Sequence, residues 1–97
     1  MAGHAIAHEN HGHRGAFYVE RAGARVAELT YSRAGDALVI IDHTEVDPSL
    51  GGQGLGRQLL DAAVAWARET GTKVMATCPF ARAQFDRDPS IRDVLAP

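Results

Sequence analysis

The stretch Gly51-Gly52-Gln53-Gly54-Leu55-Gly56-Arg57 is the part of this sequence that most directly indicates ligand binding. Four glycines within six positions allow a backbone to approach a ligand closely. The stretch follows an apolar strand that ends at Val46 and runs into the longest amphipathic segment of the chain. Because the first turn of a helix offers unpaired N–H groups and a positive dipole end, these features predict a phosphate site.

Two well-known phosphate motifs do not fit this stretch. Gly51 and Gly56 have the spacing of a P-loop, but Arg57 and Gln58 stand where that motif requires Lys and Ser or Thr. The segment 52–54 begins a dinucleotide-binding pattern, yet the third glycine of that pattern would fall on Arg57. The sequence therefore favours neither a nucleoside triphosphatase nor a Rossmann site.

Three other reactive side chains lie near predicted strand ends. His43 and Glu45 follow an apolar strand, at the position where open α/β sheets bind ligands, and Cys78 follows a later strand. A buried structural role remains open for His43 and for Cys78. Cys78 is the only cysteine, which excludes an intramolecular disulfide and indicates a free thiol in a reducing compartment.

The opening segment, residues 1–14, is rich in Ala, Gly and His and has no sustained hydrophobic period. We interpret it as an N-terminal tail or an ill-defined strand that precedes a single domain over residues 15–97. Its histidines could attract a transition metal, but no cysteine or paired carboxylate completes a ligand set, so we expect no metal site. These histidines are His4, His8, His11 and His13.

Composition excludes several classes of function. The 97 residues are 45% hydrophobic and 23% charged, as in an ordinary globular domain. A formal net charge of -2 without a basic run gives no footprint for nucleic acid or an anionic membrane surface. No apolar segment reaches the roughly 18 residues of a membrane span, and there is no signal-peptide layout. We therefore expect a cytoplasmic protein.

Hydrophobic periodicity predicts an α/β or α+β domain in which a three-stranded antiparallel meander leads through the glycine loop into a central helix. A fourth strand, reached through this helical crossover, should run parallel to the third. Two short C-terminal helical segments complete the chain. The predicted strands are 15–20, 25–32, 37–46 and 73–77, and the predicted helices are about 54–69, 80–86 and 90–97.

Residue patterns also predict which faces are buried. Ala27, Leu29 and Tyr31 mark the core face of the second strand, and the run 38–41 is apolar on both faces, which indicates the middle of a sheet covered from both sides. Arg57 and Asp61 should form an exposed pair on the helix. The buried helix face should comprise Leu55, Leu59, Leu60, Ala63, Val64 and Ala67.

Gly51-Gly52-Gln53-Gly54-Leu55-Gly56 resembles the acetyl-coenzyme A motif of the GNAT N-acetyltransferase superfamily, Arg/Gln-x-x-Gly-x-Gly/Ala. The last four residues fit, and Gly51 replaces the leading Arg or Gln while keeping the backbone amides. The segments 31–32, 43–46 and 77–80 resemble the short, single-domain GNAT-like group as well. The resemblance covers nearly the full chain and implies that fold.

The resemblance also implies where acetyl-coenzyme A binds. In the superfamily, the strands before the loop and after the helix splay apart, and the pantetheine arm lies in the gap. Carried onto this sequence, the backbone near Glu45 and Val46 faces the pantetheine, the loop faces the pyrophosphate, and Cys78 lies near the thioester. The implied cofactor-binding residues are Val46, Gly51, Gly52, Gln53, Gly54, Leu55, Gly56, Arg57, Cys78 and Pro79.

Acetyl transfer to an amine requires a proton acceptor and donors for the oxyanion. Glu45 or His43 could accept the proton, and backbone N–H groups beside Val46 could stabilise the oxyanion. Cys78 has two interpretations, a nucleophile that forms an acyl-cysteine or a residue that lines the cofactor channel. The acceptor would be a small amine or a protein lysine.

Full-length GNAT enzymes carry further helices between the first two strands and further C-terminal strands, and this chain has neither. We therefore expect an acceptor pocket that is shallow, borrowed from a second subunit of a homodimer, or absent. Two alternatives to an enzyme stay open. One is a non-catalytic coenzyme A-binding or protein-interaction module, and the other is a structural domain that binds no cofactor.

Overall fold

Four antiparallel strands and one parallel strand form a single sheet in the order β1-β2-β3-β4-β5. The computed structural model describes residues 5–97, and His4 lies outside them. The elements are β1 Ala7–His11, β2 Arg14–Arg21, β3 Ala24–Gly35, β4 Leu38–Val46, α1 Leu55–Thr70, β5 Lys73–Ala76 and α2 Pro79–Arg87, with 3-10 turns at Pro48–Leu50 and Pro89–Val94.

The predicted mixed α/β fold is confirmed, including the parallel pairing of β4 with β5 across the α1 crossover. The antiparallel meander, however, has four strands where the sequence predicted three. Of the two interpretations of the opening segment, the structure shows a strand, because Ala7–His11 pairs antiparallel with β2. The boundary expected between residues 14 and 15 therefore falls inside one continuous sheet.

An aromatic cluster explains why β1 pairs with the sheet despite its polar sequence. The His8 ring stacks on Phe17 at 4.1 Å between centroids, and its Nε2 lies 2.7 Å from Tyr31 Oη. Trp66 of α1 meets the edge of His8 at 5.1 Å. Burial, together with the nearby Arg33 cation, lowers the pKa of His8, so the neutral ring is the form that this packing favours.

Two expectations for the apolar run 38–41 were wrong, namely that its strand lies in the middle of the sheet and that both of its faces are covered. β4 is the fourth of five strands, and β3 occupies the middle of the sheet. Val39 and Ile41 are buried in the core, but Ile40 is only half-buried and its neighbour Met75 is 46% exposed. β-Branched residues favour strands on either face, so an apolar run does not by itself show that both faces are covered.

The predicted apolar face of α1 is confirmed, since Leu55, Leu59, Leu60, Ala63, Val64 and Ala67 are all buried. The helix ends at Gly71, whose φ of 69° and N–H bond to Ala67 O form a left-handed C-cap. α2 adds Ala81 and Phe85 to the same core, whereas Ala83 is exposed.

The C-terminal segment, predicted as a helix over about 90–97, forms a 3-10 turn at Pro89–Val94 followed by an extended strand contact. Ile91 and Val94 are buried. Leu95 forms a parallel bridge with Val74 of β5, and Ala96 N–H donates to Val74 O at 2.9 Å. The described residues contain no helix that is both long and apolar enough to cross a membrane.

Gly15 in β2 provides a test of this packing, because a Cβ there would overlap the Tyr31 ring and lie 2.7 Å from Glu9 O. We expect Gly15→Ala to lower the free energy of unfolding by about 1–3 kcal/mol, measured by urea denaturation. Gly35→Ala is the matched control, since its Cβ would meet only Leu38 Cβ at 3.9 Å. Equal stability of the two variants would contradict the described packing.

Candidate functional site

The parallel ladder between β4 and β5 ends where the candidate site begins. Ile41 pairs with Ala76, and then Thr77 N–H and Cys78 N–H both donate to Ile41 O, at 3.0 and 3.2 Å. β4 continues to Val46 without a β5 partner. The sheet therefore opens into a gap beside the C-terminal half of β4.

A β-bulge at Asp42 determines which side chains face each side of this gap. Tyr31 pairs with Ile41 and Thr30 pairs with His43, so Asp42 has no partner in the register. The Asp42 carboxylate accepts hydrogen bonds from Thr30 Oγ1 and, at 2.9 Å, from Ser32 Oγ. Because a bulge inserts one residue, it reverses the alternation of side chains beyond it.

Beyond the bulge, Thr44 and Val46 take the helix side of the sheet, as the partners of the buried Leu29 and Ala27. His43 and Glu45 occupy the other, open face, with 59% and 74% of their side chains exposed. His43 Nε2 lies 3.4 Å from Glu45 Oε1. The two predicted proton acceptors thus lie together, but on the face away from the helices.

The direction of the Val46 N–H group can be deduced from the hydrogen bond of the next residue, Asp47. Asp47 N–H donates to Val26 O in β3 at 2.8 Å. Successive N–H groups of a strand point to opposite sides. Val46 N–H therefore points away from β3 and into the gap, and the predicted oxyanion role of the N–H groups beside Val46 stays a prediction.

The glycine stretch forms a turn between β4 and α1. The Asp47 carboxylate accepts a bond from Ser49 N–H at 2.9 Å, which caps the 3-10 turn and lowers the pKa of Asp47. Gly52 and Gly54 have φ angles of 82° and 70°, in the left-handed region that glycine adopts without strain.

The start of α1 exposes backbone donors. Gly54 is the N-cap residue, and no side chain caps the helix within the described structure. Gln58 N–H makes the first helical bond, to Gly54 O at 3.1 Å. The N–H groups of residues 55–57 precede this bond, so they have no partner within the helix and are the kind of donors that bind anions at helix N-termini.

A cleft with a cavity volume of about 420 Å³ opens over this helix end. It brings together most of the predicted loop residues and Val46, whereas Gln53, Cys78 and Pro79 lie outside the lining. Four lining residues were not predicted, namely Thr44, Leu50, Phe80 and Gln84. The full lining is Thr44, Val46, Leu50, Gly51, Gly52, Gly54, Leu55, Gly56, Arg57, Phe80 and Gln84.

Gly56 lets α2 form one wall of the cleft, since a Cβ at this position would lie 3.1 Å from Phe80 Cζ. Phe80 directly follows Cys78-Pro79 in the first turn of α2. This position in the sequence could have identified Phe80 as a residue of the site. Thr44 was hidden by the bulge, because simple alternation with His43 and Glu45 cannot show which of the three faces the helices.

Cys78 is buried at the N-cap of α2, and Pro79 is the first, exposed residue of that helix. The Cys78 thiol donates to Thr44 Oγ1 at 3.4 Å, across the gap between the strands. The structure thus brings Cys78 to β4 through Thr44. It gives Cys78 no hydrogen bond to His43 in the described part of the chain.

Arg57 lines the cleft but has protein partners for its guanidinium. The predicted pair with Asp61 is confirmed, with 2.8 Å between Nε and Oδ1. Nη1 donates to Gln84 Oε1 at 3.0 Å, and Nη2 donates to Asp88 Oδ2. The predicted contact of Arg57 with a pyrophosphate stays a prediction.

The Arg57 bond, followed by bonds from Ser90, lowers the pKa of Asp88 from 3.8 to about 2. Because the folded pKa lies below the unfolded value, this interaction stabilises the fold above pH 3.8 and is lost as the pH falls through about 2.

Residues 5–97 contain no cluster of three or more His, Cys, Asp or Glu arranged to hold a metal ion. His8 is occupied by the aromatic cluster, and His11 Nε2 lies 3.3 Å from Glu9 Oε1.

Solved structures of N-acetyltransferases share this architecture. A GCN5-like protein from Staphylococcus aureus is 35% identical, with a TM-score of 0.74 over 99% of this chain and 91% of that one. The ribosomal-protein-S18-alanine N-acetyltransferase from Escherichia coli is 19% identical, with a TM-score of 0.65 over 80% of this chain and 53% of that one. The ribosomal-protein-alanine N-acetyltransferase from Brucella melitensis is also 19% identical, with a TM-score of 0.59 over 88% and 65%.

No curated protein matches the chain. A sequence model described as GCN5-related N-acetyl-transferase matches residues 16–94, a span that runs from β2 to the C-terminal 3-10 turn. With this match and the 35% identity to the Staphylococcus aureus protein, the chain belongs to the GCN5-related N-acetyltransferase family.

Proposed function

We propose that this chain binds acetyl-coenzyme A in the cleft beside α1 and transfers the acetyl group to an amine acceptor. The observation that carries the proposal is the uncapped N-terminus of α1, which opens into a cavity that adjoins the gap at β4. Members of the family generally use acetyl-coenzyme A, and the chain's own residues fit that cosubstrate.

The proposed fit follows the lining of the cleft. The amides of the glycine turn and of residues 55–57 would hold the pyrophosphate, since they are backbone donors with no Cβ in front of Gly52 or Gly54. The free edge of β4 would hold the pantetheine arm through its unpaired backbone groups. Cys78 and Pro79, at the far side of the gap, would lie near the thioester.

The gap allows reaction chemistry at both faces of the sheet. Val46 N–H would stabilise the oxyanion from the strand edge. Glu45, with His43 beside it at 3.4 Å, would take the proton of the attacking amine on the open face. These exposed side chains suit an acceptor that arrives from solvent.

The acceptor is proposed only as an amine, of a small molecule or of a protein lysine. The relatives from Escherichia coli and Brucella melitensis are named for alanine N-acetylation of ribosomal protein, but this chain spans only 53% and 65% of their lengths. A shallow site on the open sheet face, or one completed by a second copy in a homodimer, is consistent with the uncovered strands. The buried, unpaired Cys78 supports a reducing, cytoplasmic location.

Binding is tested by thermal unfolding with coenzyme A. At 100 times its dissociation constant, the ligand should add about 2.7 kcal/mol of stability. Gly52→Ala should abolish this gain, because a Cβ would enter the anion cradle. Gly23→Ala is the matched control, with φ of 81° against 82° for Gly52 and open space around both Cβ positions. It should lose similar intrinsic stability and keep the gain from the ligand.

Turnover is measured in the same samples as release of free coenzyme A in the presence of amines and lysine peptides. Transfer to any of them supports the enzyme. Stabilisation by the ligand without transfer would favour the non-catalytic module, and no stabilisation at all would overturn both readings in favour of a structural domain.

The proton acceptors are tested by Glu45→Gln and His43→Ala. We expect the variant that removes the main acceptor to lower kcat by about 100-fold, because general-base catalysis typically contributes that much, with little change in the affinity for coenzyme A. Unchanged turnover in both variants would show that neither residue takes the proton.

Cys78 is tested as a nucleophile by intact-mass spectrometry after incubation with acetyl-coenzyme A. In the covalent route, the thiolate attacks the acetyl carbonyl, a new S–C bond forms, and coenzyme A leaves as its thiol with the proton that Cys78 lost. The amine then takes the acetyl group and restores the Cys78 thiol. An acetyl increment that is absent in Cys78→Ser supports this route, and no increment leaves Cys78 as a lining residue.

A further inference from the structure

One guanidinium connects the two helices that border the cleft. Arg57 lies in the first turn of α1, and its Nη atoms donate to Gln84 and Asp88, at positions 27 and 31 residues further along the chain. Gln84 belongs to α2 and Asp88 is the C-cap residue of that helix. Among the described residues, no other side-chain hydrogen bond joins α1 to α2.

The wall that Arg57 supports is part of the cleft lining. Phe80 and Gln84 of α2 line the cleft together with Gly56 and Arg57 of α1. Phe80 is only half-buried, and its ring lies against Gly56 without a side chain between them. A small displacement of α2 would therefore change the width of the cleft directly above the first turn of α1.

The charge around Arg57 does not favour a second anion. Its guanidinium faces two carboxylates, Asp61 and Asp88, so the three side chains together carry a net negative charge. Each of its three nitrogens already donates to a protein oxygen. Turning the guanidinium towards a phosphate would break bonds that hold α2 in place.

We propose that Arg57 is a positioning residue for the coenzyme A site: its guanidinium fixes the α2 wall through Asp88 and Gln84 and does not bind the pyrophosphate. This inference rests on the proposed function for its ligand. It assigns the pyrophosphate to backbone amides and gives Arg57 an indirect effect on affinity.

Asp88→Asn distinguishes the two possible roles of Arg57, because they predict different changes in the affinity for coenzyme A. If Arg57 positions α2, the variant should weaken coenzyme A binding by about tenfold, the usual size of a charged hydrogen bond's loss. If Arg57 binds phosphate, removal of Asp88 frees the guanidinium, so the affinity should stay or rise. Asparagine keeps an oxygen that can accept the bonds from Ser90 N–H and Oγ–H.

Asp61→Asn is the matched control. This variant removes one negative charge beside the same guanidinium, as Asp88→Asn does. Asp61 lies on α1, however, so its bond to Arg57 does not connect α1 to α2. Its dissociation constant for coenzyme A, measured by calorimetry, should stay within about twofold of the wild-type value. An equal weakening in the two variants would overturn the proposal, because it would reflect local charge alone.

Hydrogen exchange in the ligand-free protein tests the positioning role independently of any ligand. Amides of α2 should exchange faster in Asp88→Asn than in Asp61→Asn, whereas amides of β2 and β3 should be unchanged in both. Arg57→Lys, which keeps the charge but lacks the planar fork, should loosen α2 in the same way. Unaltered exchange in α2 would overturn the proposal.

This readout also separates the inference from the proposed function. If wild-type protein does not bind coenzyme A, the proposed function fails. Faster exchange of α2 in Asp88→Asn would still show that Arg57 holds the helix. If the wild type binds and Asp88→Asn binds as tightly or more tightly, only the positioning role fails.

Discussion

The site depends on the point where β4 and β5 stop pairing. Two amides, those of Thr77 and Cys78, converge on the single carbonyl of Ile41, and Pro79 then directs the chain into α2. The remaining part of β4 therefore has an edge without a strand partner, and its free backbone N–H and C=O groups can bind another set of polar groups. The gap, the cleft beside it and the position of Cys78 all result from the end of the pairing between β4 and β5. A ligand with amide groups, such as pantetheine, would supply the missing partners.

The bulge at Asp42 gives the same stretch of β4 two chemical roles. Thr44 and Val46 face the helices and the cleft, whereas His43 and Glu45 face the open side of the sheet. One extra residue thus places the proposed binding groups and the proposed proton acceptors on opposite faces. The hydroxyls of Thr30 and Ser32 hold the Asp42 carboxylate, which stabilises the irregularity. In the proposed function, the cosubstrate would therefore bind on one face of the sheet and the acceptor on the other.

Two sets of contacts between residues distant in sequence fix β1 and α2 against the rest of the fold. The His8 cluster with Phe17, Tyr31 and Trp66 attaches β1 to the sheet and to α1. Arg57 attaches α2 to α1 at the mouth of the cleft. In a domain of 97 residues the core is modest, and such polar and aromatic contacts determine where the ends of the chain pack. Arg57 also affects the shape of the site, because it lines the cleft and contacts Gln84 of the opposite wall.

The sequence by itself determined the elements whose signals are local. The apolar period of α1, the alternation in β3 and the spacing of glycines predicted the helix, the meander and the loop, and the residues after Gly56 excluded a P-loop. Tertiary structure alone decided the pairing of β1, the bulge, the α2 wall and the partners of Arg57. Each of these depends on groups far apart in the chain, such as Arg57 and Asp88, or on one inserted residue that reverses a strand's faces. Periodicity cannot encode a register shift or a long-range contact, because it reports only which side chains share a face within one element.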